Sequence, residues 1–144
     1  MMNVVDTPRW GRIEVDPTKI IHFDTGMAGF PDCSDFVVMD HDRETPLKWL
    51  QCVDRPEISF VIIDPAQVMP AYTVDVPEPV MKMIGWNHEV RPEQVAVFVV
   101  LNCEGGNLTA NLRAPVVVNV QKRLAFQLIL DDPAIPLRHP IKHS

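Results

Sequence analysis

Fourteen prolines are spread from Pro8 to Pro140, and they constrain the fold of this 144-residue chain more than any other feature. Proline has no backbone N–H to give a helix interior or a central strand, so it is confined to edges, turns and first helical turns. At these intervals there is little room for a long helix, and the elements must be short. Between the breaks the residues are largely β-branched and aromatic, which predicts strands over 13–15, 19–23, 36–40, 47–52, 59–64, 72–76, 95–101, 108–112, 116–120 and 124–130. The chain reads as a sheet protein.

Two of these segments alternate. Tyr72, Val74 and Val76 oppose Thr73 and Asp75, while Leu108, Ala110 and Leu112 oppose Asn107, Thr109 and Asn111, as in strands with one wet face. The runs 60–63 and 95–100 are continuously apolar and belong at the centre of the sheet. Glu104-Gly105-Gly106-Asn107 is a hairpin signal, since two glycines can both take φ > 0, and it predicts antiparallel pairing of the flanking strands. One short helix is expected: Glu78 and Pro79 suit a first turn, Val80, Met83 and Ile84 share a face, and Gly85 can close it. About ten short strands and one helix fit a single-domain antiparallel or mixed β-barrel-like fold over 1–144, capped by that helix, because closure removes exposed edges; a sandwich is the alternative.

Length and composition agree with one domain. Hydrophobic residues make up 47% of the chain, enough for a core without disulfides or metals. The three cysteines, Cys33, Cys52 and Cys103, are odd in number and widely spaced, which gives no disulfide framework and no paired zinc motif and fits a reducing cytosol. The start of the chain has neither a basic segment nor an apolar run, so no export signal is expected, and no apolar stretch has the length of a membrane span. A net charge of −6 repels nucleic-acid backbones and anionic lipid, so direct contact with either is not expected.

Catalytic motifs are missing: there is no nucleophile elbow, phosphate-binding loop, dinucleotide fingerprint or paired-histidine zinc motif. The histidines His22, His41, His88, His139 and His143 are not spaced as ligands, and no metal or cofactor is expected. His22, between Ile21 and Phe23, suits a hydrogen-bonded wall position, and Cys52 suits a buried, inert thiol. Asp40, Asp42 and Glu44, with His41, form an acidic turn without the glycine-centred pattern of a calcium loop; it is either a solvated connection or a contact for a basic partner. Trp10, Trp49 and Trp86 are too scattered for a base-stacking platform, although Trp86, just past the helix, is a candidate interface anchor.

Several segments taken in order resemble the bacterial flagellar assembly factor family, FliW. They are Ile21-His22-Phe23-Asp24-Thr25-Gly26-Met27-Ala28-Gly29-Phe30, then Pro46-Leu47-Lys48-Trp49-Leu50-Gln51-Cys52, then Ser59-Phe60-Val61-Ile62-Ile63-Asp64-Pro65. The most distinctive is 108–119, Leu-Thr-Ala-Asn-Leu-Arg-Ala-Pro-Val-Val-Val-Asn, and it is followed by Gln127-Leu128-Ile129-Leu130 and Leu137-Arg138-His139-Pro140. The resemblance covers about Trp10 to Pro140, and Cys52 and Ile135 depart from the family pattern. It implies a non-enzymatic cytoplasmic switch that binds flagellin and also the carbon storage regulator CsrA. By sequestering CsrA when flagellin is scarce, such a factor derepresses translation of flagellin messenger RNA. A monomer is expected.

For the contact surface the sequence offers candidates. Asn111 and Arg113 share a polar face with Thr109 on the alternating strand; they either read a partner or tie neighbouring backbone. Trp49 and Gln51 share a face of their strand, and Gln51 is either a satisfied buried amide or the rim of an aromatic anchor. Asp40, Asp42 and Glu44 are the electrostatic candidates. Gly26 and Gly29 are expected to serve turn geometry and Phe30 the core. Two other classes stay open at this point: a small barrel holding a metabolite or cofactor in its mouth, and a purely structural oligomerisation module.

Overall fold

The computed structural model describes residues 3–40, 45–87 and 89–141. Asp42, Glu44, His41, His88 and His143 lie outside these residues. Among the described residues there are eleven strands and one α-helix. The strands are β1 (Asn3–Thr7), β2 (Gly11–Val15), β3 (Ile21–Phe23), β4 (Asp35–Asp40), β5 (Lys48–Cys52), β6 (Ser59–Ile63), β7 (Val95–Glu104), β8 (Asn107–Ala110), β9 (Val116–Asn119), β10 (Leu124–Gln127) and β11 (His139–Pro140), and the helix is α1 (Glu78–Met83).

Seven strands close on themselves in the order β7-β6-β5-β4-β3-β10-β9, with β9 returning to β7. All these pairs are antiparallel except β10 with β3. Closure follows from the period-2 pattern: Phe23, Phe36, Leu50, Cys52, Ile62 and Val116 all turn inward and form one core cluster. Phe23 meets Phe36 edge-on at 5.1 Å between ring centroids, and Phe30 meets Phe60 at 5.5 Å. The interior is therefore filled by side chains.

The outer face of the barrel is apolar as well, and three covers bury it. The β1–β2 hairpin lays Val5 and Val15 over Val37 of β4. Helix α1 lies on the outside of the wall, packing Val80 and Ile84 with Val117 of β9 and Leu128. The strap around Val68, Met69 and Tyr72, with Ile135 and Ile141, covers Ile63, Val99 and Leu101. The helix ends as expected, through a Schellman closure in which Gly85, at φ +93°, lets Trp86 N–H reach Met81 C=O at 2.8 Å and Gly85 N–H reach Lys82 C=O at 3.1 Å. Met83, expected on the buried face, is 42% exposed; Met81 packs inward instead.

Several sequence expectations about strands change: the strand expected over 124–130 ends at Gln127, and β11 was not expected. Residues 72–76 alternate but form no ladder: the seven barrel strands already pair with one another, and this segment, between Pro70 and Pro77, runs over the wall as an extended strap. The Tyr72 hydroxyl donates to Leu112 C=O at 2.6 Å and ties it down. Strand β1, which was not expected, forms because Val5 and Thr7 alternate with exposed Val4 and Asp6 and find β2 as a partner. The hairpin at Gly105 and Gly106 is as expected, with φ of 58° and 84° joining β7 to β8.

Candidate functional site

The site arises where one continuous stretch of chain breaks. Strands β8 and β9 run along the same edge of β7, but Leu101 pairs with Ala110 whereas Phe98 pairs with Val116, so Val99 and Val100 face the five residues 111–115. That excess forms a wide bulge at one mouth of the barrel. Asn111 N–H still reaches Val100 C=O at 3.0 Å, after which the chain swings out. The Asn111 side chain accepts from Arg113 N–H at 3.1 Å, an Asx turn that fixes the departure. Arg113 then spans outward: its Nε donates to Ile135 C=O at 2.6 Å and its Nη2 to Pro133 C=O at 3.0 Å. The shared face expected for Thr109, Asn111 and Arg113 thus stops at Ala110, because the strand does.

This bulge opens a surface groove of about 510 Å³. Its floor is the end of the barrel core, Phe60 and Val100, which pack against the interior cluster. Its walls include Asn102, Asn111, Arg113, Gln127 and Asp131, with Ile129 and Leu137 on the rim. Ile129 is 63% exposed and Leu137 48%, two of the few large apolar side chains left in solvent. Gln127 braces the groove from below, accepting from Ala28 N–H at 2.8 Å and donating to Ala114 C=O at 3.2 Å. Ala28 sits in the tight turn that Gly26 and Gly29 permit through φ of 70° and 84°.

The structure brings Asn111 and Arg113 together in this groove and places Trp49, Gln51, Trp86 and Asp40 elsewhere. Trp49 and Gln51 are buried on the outer face of β5, with the Arg9 guanidinium 4.0 Å from the centre of the Trp49 ring and Trp10 edge-on to it. The Gln51 amide nitrogen donates to Pro56 C=O at 2.7 Å and Cys52 C=O at 3.0 Å, which stitches the following loop to the strand. Trp86 is buried beneath α1. Asp40 ends β4, where it accepts from Lys48 Nζ at 2.7 Å. Its companions Asp42 and Glu44 lie outside the described residues. Sequence reasoning missed Asn102, Gln127, Ile129, Asp131 and Leu137. The signal for Ile129 was present, since it alternates with Leu128 and Leu130, but nothing in the sequence places the segment beside the bulge.

The remaining chemistry is structural. His22 Nδ1 lies 2.7 Å from Asp35 and its Nε2 3.0 Å from Asp24, and the hydrogen bond to Asp35 raises the imidazole above its usual pKa of 6.5. Burial pushes the Cys52 thiol up to about 12, so it stays protonated and unreactive. Among the described residues no group of three or more His, Cys, Asp or Glu is placed to hold a metal ion, and no helix is long and apolar enough to cross a membrane.

Comparison with known proteins fits this geometry to a family. The model described as FliW protein matches residues 4–141. The flagellar assembly factor FliW of Thermoanaerobacter pseudethanolicus is 35% identical over 138 residues, covering 95% of this chain and 91% of its own. That of Caldicellulosiruptor saccharolyticus is 37% identical over 139 residues, covering 95% and 89%. The crystal structure of the flagellar assembly factor FliW is 31% identical and superposes with a TM-score of 0.86 over 99% of each chain. A match across nearly the whole length, in both sequence and barrel architecture, means that the chain belongs to the FliW family.

Proposed function

We propose that this protein is a flagellar assembly factor that works by binding other proteins, without catalysis, in the cytoplasm. Its partners on this reading are flagellin and the regulator CsrA, and holding CsrA while flagellin is scarce derepresses translation of flagellin messenger RNA. The observation that carries the binding role is the groove at the bulged mouth. Ile129 and Leu137 stand exposed there above a floor of core side chains, and exposed apolar groups framed by polar ones mark a protein contact. The barrel interior supports the same reading against a metabolite carrier, because Phe23, Phe36, Ile62 and Val116 fill the space a ligand would need. Family membership supplies the setting of flagellar assembly.

The test is a calorimetric titration with the cognate CsrA, repeated after saturation with the cognate flagellin. Tight binding that flagellin abolishes is the expected result. Absence of heat with both partners, matched by unshifted elution in size-exclusion runs, would overturn the proposal.

A further inference from the structure

One wall of the groove differs from the others. Residues 128–130 continue β10 in extended form: Leu128 N–H donates to Pro115 C=O and Leu130 N–H to Arg113 C=O, each at 2.8 Å. Successive peptide groups of an extended chain point to opposite edges, so the Leu128 and Leu130 N–H groups face 113–115 while Ile129 turns its N–H and C=O the other way. On that other edge β10 pairs with β3 at Leu124 and Ala125; β3 ends at Phe23, and the chain turns away through Met27 and Ala28. Among the described residues the Ile129 backbone has no backbone partner. Because Met27 and Ala28 line the groove on the β3 side, this open edge looks into it.

An unpaired edge beside an apolar floor is a template for another strand. Charge narrows what that strand is. Two charged side chains line the groove, and Arg113 is committed to the carbonyls of Ile135 and Pro133. Asp131 is exposed, has no ion-pair partner among the described residues, and belongs to a chain of net charge −6. We infer that the groove takes an extended segment of a partner protein, which pairs with the edge at Ile129, sets an apolar side chain between Ile129 and Leu137, and brings a lysine or arginine to Asp131. This rests on the partner-binding reading above and specifies how that site binds.

The experiment uses the full chain with cognate flagellin and cognate CsrA. Dissociation constants are measured for the unaltered protein, for Ile129→Ser with Leu137→Ser, and for Asp131→Asn over a range of salt. Exchange of the Ile129 amide is followed by NMR with and without saturating partner. The inference expects the double variant to weaken one partner by about tenfold or more. It also expects the Ile129 amide to become protected in that complex and Asp131→Asn to flatten the salt dependence. An Ile129 amide that exchanges in the saturated complex as fast as in the free protein overturns strand pairing, as does a double variant whose affinities stay within about twofold of the unaltered protein. Both replaced side chains are largely exposed, and if the double variant nevertheless fails to fold, the amide measurement on the unaltered protein decides alone. Should the unaltered protein bind neither partner, the binding reading itself falls and this inference with it, an outcome distinct from binding that leaves Ile129 unprotected.

Discussion

Gly26 and Gly29 both take positive φ in one turn, yet they differ in what a side chain would meet. A Cβ on Gly26 would lie 2.6 Å from Phe30 O and 2.9 Å from the Pro31 backbone, whereas one on Gly29 meets nothing within 4 Å. Gly29→Ala therefore costs only the left-handed strain, about 1 kcal/mol, while Gly26→Ala adds displacement of backbone and costs about 3 kcal/mol or more. Urea unfolding of the two variants checks the ranking, and equal midpoints would show that the turn yields. His22 gives a residue-scale dependence on pH. Its folded-state pKa is raised, chiefly by the hydrogen bond to Asp35 and then by Asp24, so the protonated ring is favoured by folding. That contribution is whole below the unfolded value near 6.5 and is lost as pH rises through the folded value. The urea midpoint should accordingly fall as pH climbs from about 6.5, and His22→Asn should flatten that part of the profile. An unchanged slope in the variant would assign the dependence to another group.

At the scale of elements, the segment 131–137 is tied to the bulge by the Arg113 side chain, by Leu112 N–H donating to Pro136 C=O at 3.2 Å and by packing of Ile135. Arg113→Ala removes its bonds to Ile135 and Pro133 carbonyls and should destabilise the chain by about 1.5–3 kcal/mol, with faster amide exchange concentrated in 131–137. Arg113→Lys should recover only part of this, because an ammonium on a flexible stem does not reproduce the planar fork. If exchange in 131–137 is unchanged in Arg113→Ala, packing of Ile135 against the strap around Tyr72 holds the segment instead. The same elements show what the sequence could and could not disclose. Strands β2 to β10, the Gly105-Gly106 hairpin and the helix were legible because each announces itself within a few residues, by alternation, by paired glycines or by a proline at the first turn. Residues 72–76 misled because alternation reports one wet face without saying whether a strand edge is free to pair with it. The groove was legible only through Asn111 and Arg113. Ile129, Asp131 and Leu137 reach it through the register jump between β8 and β9, which pairwise contacts far apart in sequence determine.

Across the whole molecule, Asp40 stands at the C-terminal end of β4, whereas the groove is lined by Phe60 near the start of β6 and Gln127 at the end of β10. The groove is suited to short-range apolar and backbone contacts, whereas the acidic turn expected from the sequence at Asp40, Asp42 and Glu44 would act by long-range attraction, which raises association rates more than affinity. Replacing Asp40, Asp42 and Glu44 together by Ser should therefore slow association with a basic regulator and flatten its dependence on salt, while dissociation changes little. The ion pair of Asp40 with Lys48 is largely exposed, so the melting temperature should hardly move. Stopped-flow association at low and high salt is the measurement, and unchanged rates at low salt would remove the acidic turn from the encounter. Combining these changes with Ile129→Ser and Leu137→Ser then asks whether the two sets of residues act on one partner. For independent sites the free-energy effects add. A shortfall from additivity would mean that the two sets of residues are energetically coupled in binding that partner.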